Sequence, residues 1–375
     1  MSRVAGRSVI APDVGRASSA EPMVRDAMDP VNVSVSLRLG PYADQPPALA
    51  APAGPLTRGV TVVICTYQRA ATLVRFLDSL VVQVRMPEQV IIVDASRSDE
   101  TERAVRDHDR LALAGSDVLY FRVAGPLRGL TRQRNFALRW VATDLVAFFD
   151  DDIVLSPGCC SELERHHREL GHRVVGVAAM LDNRPERPRL VWRLRKWLRV
   201  VSDLRPGTYS RSGISIPWDF LPRTETGLVE GDWLPGGATM WRTAAAREMR
   251  FNEGLEGYGI GEDLDFSLRM RAEGALAVAG RARVSHHQAA GGRPEAYEMG
   301  YTWVRNLYDI HRRCLSNRTR ADAAHFVYAF CTDALIQFLA LLKGQNLQTR
   351  WQFLRGHLRF LVELFLGRHR VGRLH

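Results

Sequence analysis

Apolar and polar positions alternate in blocks along the first half of the chain. Val60–Cys65, Gln89–Val93, Val118–Val123 and Leu145–Phe149 are short, largely apolar runs bounded by polar or turn-forming residues, and they read as buried strands. Leu73, Phe76, Leu77 and Leu80 recur at spacings of three and four, which predicts a helix over residues 70–84. A second helix opens near Glu100, and a third opens at Gly129–Asn135 and runs to Val141. The order β-α-β-α-β-α-β predicts an α/β fold, a mostly parallel sheet with helices on both faces. Further on, the pattern predicts a helix over Ser161–Leu170, a strand over Val174–Met180, a helix over Phe266–Glu273, a strand over Ala275–Ala279 and a helix over Tyr301–Arg313.

The ends differ from this middle. Residues 1–58 mix Ala, Pro, Gly, Ser and Arg with no sustained apolar stretch of the secretory-leader kind; they are expected to be disordered, with Val31–Leu39 an isolated strand. Phe326–Leu342 is mostly apolar but interrupted by Thr332, Asp333 and Gln337, and an Asp in mid-segment is costly in lipid. Trp351–Leu366 places Arg355, His357 and Arg359 among apolar residues at helical spacing. Both segments read as amphipathic helices that lie on a membrane, pack as a hairpin, or cap the core; Arg368, Arg370 and Arg373 would strengthen contact with anionic lipid. Within residues 184–211, Arg187, Arg189, Arg193, Arg195, Lys196 and Arg199 interleave with Trp192, Trp197 and several aliphatics, which suits a membrane surface, an anionic acceptor or a solvated helix face.

The candidate chemistry gathers where strands end. The run Leu145–Phe149 passes directly into Asp150, Asp151 and Asp152. Three adjacent carboxylates repel one another unless a positive charge sits among them, and a divalent cation such as Mg²⁺ or Mn²⁺ on a diphosphate supplies it. Open α/β sheets bind ligands at the carboxyl ends of their strands, and Thr66, Asp94 and the acid triplet would all project from one such rim. Asp94 could accept from a base or a ribose hydroxyl, and Arg134 could meet a phosphate. The paired glycines Gly236 and Gly237, after Trp233, allow a close backbone approach. A glycine-rich loop then delivers Glu262, Asp263 and Asp265 to the start of a helix; Asp263 is the better candidate for a general base. His286 and His287 follow, of which one at most would reach the acids as a metal ligand.

Composition narrows the classes. The chain has 375 residues, 25% charged and 46% hydrophobic, enough for one large core or two modest ones. A net charge of +10 suits anionic partners. Zinc-finger spacing and aromatic-basic RNA signatures are absent, so nucleic acid is not expected. Five cysteines, unevenly spaced and mostly in apolar surroundings, suggest free thiols in a reducing compartment. There is neither a GxGxxG fingerprint nor a P-loop.

The segments Val63–Arg69, Asp94–Thr101, Gly129-Leu130 with Arg134-Asn135, Asp150–Asp152, Trp233 with Gly236-Gly237, Gly261–Asp265, and His286 together resemble a family 2 glycosyltransferase of the GT-A fold, in the family's order and over about residues 59–310. The resemblance implies a GT-A-type domain with a nucleotide-binding half (59–155) and an acceptor-binding, catalytic half (156–310), followed by amphipathic helices (311–375). Thr66, Tyr67, Arg69, Asp94, Arg134, Asp150 and Asp151 would bind the nucleotide-sugar, and Asp150 and Asp152, the ends of the DxD, would hold Mn²⁺ or Mg²⁺ with His286. Asp263 would be the base of an inverting transfer. Trp233, Gly236, Gly237 and Glu262 would face a glycan or lipid-linked acceptor, as in cell-surface polysaccharide or glycolipid synthesis. The expected location is cytoplasmic, on the inner face of the cell membrane. Where the family often carries a second acid after the first, this chain has Ala95, which leaves the base open. A nucleotidyltransferase on a similar sheet, and a non-catalytic membrane-associated relative, are the alternatives.

Overall fold

The computed structural model describes residues 33–39, 54–184, 189–255, 258–287, 295–314, 319–341 and 346–368. Its strands are β1 (Val33–Leu39), β2 (Thr57–Thr66), β3 (Gln89–Asp94), β4 (Asp117–Val123), β5 (Thr143–Asp150), β6 (Ile153–Leu155), β7 (Val174–Leu181), β8 (Leu228–Gly231), β9 (Ala238–Arg242) and β10 (Ala275–His286). The helices are α1 (Ala70–Val81), α2 (Glu100–Asp107), α3 (Arg110–Leu113), α4 (Leu130–Leu138), α5 (Cys159–Leu170), α6 (Arg189–Trp197), α7 (Thr243–Met249), α8 (Glu262–Met270), α9 (Ala296–Cys314), α10 (Arg320–Leu341) and α11 (Leu347–Phe365).

One sheet runs β1-β4-β3-β2-β5-β9-β7-β10-β6, with β8 beside β10. The α/β class and the helices on both faces hold. The strands β4, β3, β2 and β5 are parallel. Beyond β5 the sheet is mixed: β9 is antiparallel to both β5 and β7, β10 is parallel to β7, and β6 and β8 run antiparallel to β10. The isolated strand expected near Val31–Leu39 is found as β1, an antiparallel edge on β4.

Side-chain alternation sorts the strands between two cores. Val62, Ile64, Val90, Ile92, Leu145, Ala147 and Phe149 face Leu73, Phe76 and Leu77 of α1 and Leu163 of α5. Val63, Ile91, Val93, Val146 and Phe148 face Phe136 of α4 and Phe266 and Met270 of α8. Each fully buried side chain of this size contributes about 1.5–3 kcal/mol relative to exposure. A third core joins Trp192 of α6 to Val304, Phe326, Phe330 and Phe360 of α9, α10 and α11.

The C-terminal helices are therefore packed against α6 and against Leu264 of α8. α9 runs through position 310, where the sequence division was drawn. By length and composition α10 could cross a membrane, with a mean hydropathy of 1.4. Within the fold its Asp322 pairs with Arg211 at 2.7 Å and its Asp333 pairs with Arg195. The five cysteines are free, although Cys331 is exposed rather than buried. Helix α8 starts at Glu262, four residues before the expected start, because Gly261 takes a left-handed φ of 83° and caps it.

Candidate active site

Three parallel strands end together. Thr66 is paired in register with Asp94, and Cys65 with Asp150. Just past β5 the chain reverses into β6, which lies antiparallel to the end of β10 so that Ile153 faces His286. That pairing brings the imidazole to the acid triplet: His286 Nε2 is 2.9 Å from Asp152 Oδ1. One ligand atom from each of Asp150, Asp152 and His286 falls within 4.8 Å of the others. Two carboxylate oxygens and an imidazole nitrogen form a donor set suited to a hard divalent ion that tolerates nitrogen.

The middle acid points elsewhere. Asp151 accepts from Thr66 Oγ1 at 2.6 Å and from Arg69 at 3.1 Å, and Arg69 also reaches Asp152 at 3.7 Å. Burial pushes the Asp151 carboxyl up to about 6, against the opposing pull of Thr66 and Arg69.

The turn leading into β9 forms the opposite wall, and its glycines are the point of closest approach. A side chain at Gly237 would collide with the Asp150 carboxylate, and one at Gly236 with Glu262. The Gly236 N–H lies 3.4 Å from Asp263 Oδ2, while the Leu264 N–H donates to Oδ1 at 2.8 Å. Asp263 is half-buried, and that burial holds its carboxyl above the ordinary carboxylate range despite both N–H donors. Asn306 of α9 anchors the loop before α8 by donating to the Ile260 carbonyl at 2.8 Å.

Arg134 connects the two walls from beneath. It donates to Glu262 at 2.7 Å, to the Gly236 carbonyl at 3.0 Å and to Asp150 at 3.4 Å, and packs against Phe148 and Phe251. It is buried, so its visible partners are these acids and this carbonyl rather than an open phosphate site. Glu262 is buried beside it; burial, reinforced by Asp263 and Asp150, pushes its carboxyl up to about 8 despite Arg134. Asp94 is fully buried too, with its oxygens taken by the Ser96 N–H and the Tyr120 hydroxyl, both at 2.8 Å.

These residues surround a cleft of about 1100 Å³. Thr66, Tyr67, Arg69, Asp150, Asp151, Asp152, Gly236, Gly237, Glu262, Asp263 and His286 line it. Of the residues expected at the site, Asp94, Arg134 and Trp233 do not. Trp233 lines a second cavity of about 390 Å³ that meets the cleft at Asp263, Gly261 and Pro235. Sequence reasoning passed over Arg128, Arg184, Tyr258 and Glu298 in the cleft and Trp218, Trp303 and Asp333 in the cavity. The basic, Trp-containing pattern of residues 184–211 is a signal for Arg184 alone among these.

Residues 61–213 match the family model described as glycosyl transferase family 2. Two curated relatives, both named validoxylamine A glucosyltransferase, come from Streptomyces hygroscopicus subsp. limoneus and Streptomyces hygroscopicus subsp. jinggangensis (strain 5008). Each is 26% identical over 238 residues, 57% of this chain and 48% and 52% of theirs, so the chain spans about half the length of the curated relatives it matches. Among solved structures, GalNAc-T7 with UDP, GalNAc and Mn²⁺ is 16% identical, with a TM-score of 0.49 over 68% of this chain and 48% of that one. Mannosyltransferase PcManGT from Pyrobaculum calidifontis, in complex with GDP-Man and Mn²⁺, is 14% identical, with a TM-score of 0.49 over 82% of this chain and 91% of that one. Asp263 and His286 lie outside the matched segment, and it is the sheet that returns them to its strand ends. Over residues 61–213 the chain is thus similar to glycosyl transferase family 2.

Proposed function

We propose that this chain is an inverting, metal-dependent glycosyltransferase that moves a sugar from a nucleotide-sugar to an acceptor hydroxyl. The observation that carries this reading is the single cleft lined by Asp150, Asp152 and His286 together with Asp263. Asp150, Asp152 and His286 would hold the cation, and the imidazole favours Mn²⁺ over Mg²⁺. Bound there, the ion would serve as a Lewis acid toward the departing diphosphate. Thr66, Tyr67 and Arg69 border the nucleotide side, and Arg128 and Arg184 add positive charge along the same cleft. Asp263 would take the proton from the attacking hydroxyl, a contribution of about 10²–10⁴-fold. Its raised carboxyl range suits a base, because a stronger base accepts a proton more readily. Arg134 acts through its partners: it fixes Glu262, Gly236 and Asp150 without facing the donor.

The curated relatives are named glucosyltransferases, so a glucosyl donor is the first to try. A thermal-shift screen of nucleotide-sugars with and without Mn²⁺, followed by product analysis, tests the reading. Release of a nucleoside diphosphate is expected; pyrophosphate from a nucleoside triphosphate would contradict it.

The chain also has a surface that suits peripheral attachment to the cytoplasmic face of a membrane. α6 exposes Leu190, Leu194 and Trp197 among Arg193, Lys196 and Arg199, and α11 exposes Leu347, Trp351, Leu358, Val362 and Phe365 among Arg350, Arg355 and Arg359. Apolar residues set among cations match an anionic lipid surface. Co-sedimentation with phosphatidylglycerol vesicles, reduced by Trp197→Glu with Trp351→Glu, is expected; equal binding to phosphatidylcholine, or none to either, would contradict it.

A further inference from the structure

The residues of α10 exposed between positions 321 and 339 are Ala321, Ala324, Tyr328, Cys331, Leu335, Phe338 and Leu339. None is charged. Those from Ala321 to Phe338 recur at alternating steps of three and four, the spacing of a seam along which one helix packs on another. The opposite face of α10 is already taken, because Phe326, Phe330 and Asp333 are buried in the fold. The exposed cations that interrupt the apolar surfaces of α6 and α11 have no counterpart on this seam.

Side-chain size is ordered along it. Ala321 and Ala324 stand at one end, Leu335 and Phe338 at the other, and Tyr328 and Cys331 in the middle. Two copies paired parallel would set small against small and large against large, leaving gaps beside crowded layers. Two copies paired antiparallel would set Ala321 against Phe338, Ala324 against Leu335 and Tyr328 against Cys331. Every layer then holds one small and one large side chain, and the steps of three and four stay in phase. The seam is thus complementary to itself about a two-fold axis, which is what a closed dimer requires.

The area is sufficient. Tyr328, Leu335, Phe338 and Leu339 are 45%, 57%, 50% and 51% exposed. At about 200 Å² for a large side chain, they leave about 400 Å² open on each copy. With the small seam residues included, two copies would cover on the order of 1,000 Å², the low end for a specific interface. We propose that α10 is a self-association surface: two copies of this chain pair antiparallel along the Ala321–Phe338 seam and form a weak two-fold dimer. An anionic lipid surface is matched by α6 and α11, which carry the cations, and not by a seam that has none. The dimer does not depend on the chemistry in the cleft.

Sedimentation velocity of the full chain without detergent or lipid tests the dimer. A monomer–dimer equilibrium with a Kd of about 1–100 µM is expected. Leu335→Ala, which sets Ala against Ala, is expected to weaken it at least about tenfold. Adding Ala324→Leu rebuilds a small-with-large layer and is expected to return the dimer close to the parent. Phe338→Glu is expected to leave a monomer with the parent's circular dichroism. Mild copper-phenanthroline oxidation is expected to link Tyr328→Cys into a covalent dimer through Cys331 of the second copy, and to leave the parent unlinked. A parent that stays monomeric at about 100 µM would overturn the inference; if Phe338→Glu then abolishes its co-sedimentation with phosphatidylglycerol vesicles, the seam is a lipid face. A dimer unmoved by Leu335→Ala and Phe338→Glu, or a parent linked through Cys331 itself, the mark of parallel pairing, would overturn it as well.

Discussion

His286 Nε2 lies 2.9 Å from Asp152 Oδ1, although the two residues are far apart in the chain. The antiparallel pairing of β6 with β10 makes the contact, because it turns the chain back immediately after the acid triplet. Asp150 completes the group from the end of β5. If this is where Mn²⁺ binds, saturating Mn²⁺ should stabilise the protein by about 2.7 kcal/mol at a concentration one hundred times Kd. Asp152→Asn should remove that stabilisation and His286→Ala should weaken it; calorimetry with added Mn²⁺ reads both.

Gly237 lies against Asp150, where a methyl group would displace the carboxylate. Gly237→Ala should therefore lower Mn²⁺ affinity by about 10–100-fold, the usual cost of disturbing a group that orients a ligand. Circular dichroism should remain that of the parent, because Gly237 precedes β9 and does not have a left-handed φ.

Arg134 is buried among Glu262, Asp150 and the Gly236 carbonyl. Arg134→Met would strand buried acids without their cation, and loss of one partner of such a pair costs about 3–5 kcal/mol. Urea titration should show the midpoint fall, and Glu262→Gln in the same background should recover part of it.

Glu262 also sets a pH dependence. Its carboxyl is raised to about 8 in the fold against 4.5 unfolded, so between these values the native state holds a proton that the unfolded chain has released. Its contribution to stability is present in full below pH 4.5 and is lost as pH rises through about 8. Glu262→Gln should flatten the fall in stability over that window, measured as unfolding free energy at a series of pH values.

Much of the strand-end side of the cleft was legible because its signals are local. Buried runs such as Val60–Cys65 and Leu145–Phe149 need only their own composition to read as strands, and acids at a strand end stand out in any window. What was not legible depends on partners far along the chain. Ala238–Arg242 is a strand because β5 and β7 flank it, while its sequence, behind two glycines, reads as a turn. The strand expected to stop at Ala279 continues to His286 because β6 pairs with its far end. Arg134 and Asp94 have the residue types of ligand contacts, and only the fold reveals Glu262, Asp150 and Tyr120 as their neighbours. The Trp-lined cavity draws on segments from α6 to α10, a convergence that no motif encodes.

The base assignment is the claim on which glycosyl transfer depends most. Asp263 faces the cleft with its carboxyl held above the ordinary range, and among the described residues it accepts from the N–H groups of Gly236 and Leu264. The decisive measurement is turnover and donor affinity of Asp263→Asn side by side with the parent, using nucleotide-sugar and Mn²⁺. A fall in turnover of about 10²–10⁴-fold with donor affinity unchanged is the expected result. Turnover retained in the variant, or donor binding lost together with it, would contradict the role given to Asp263.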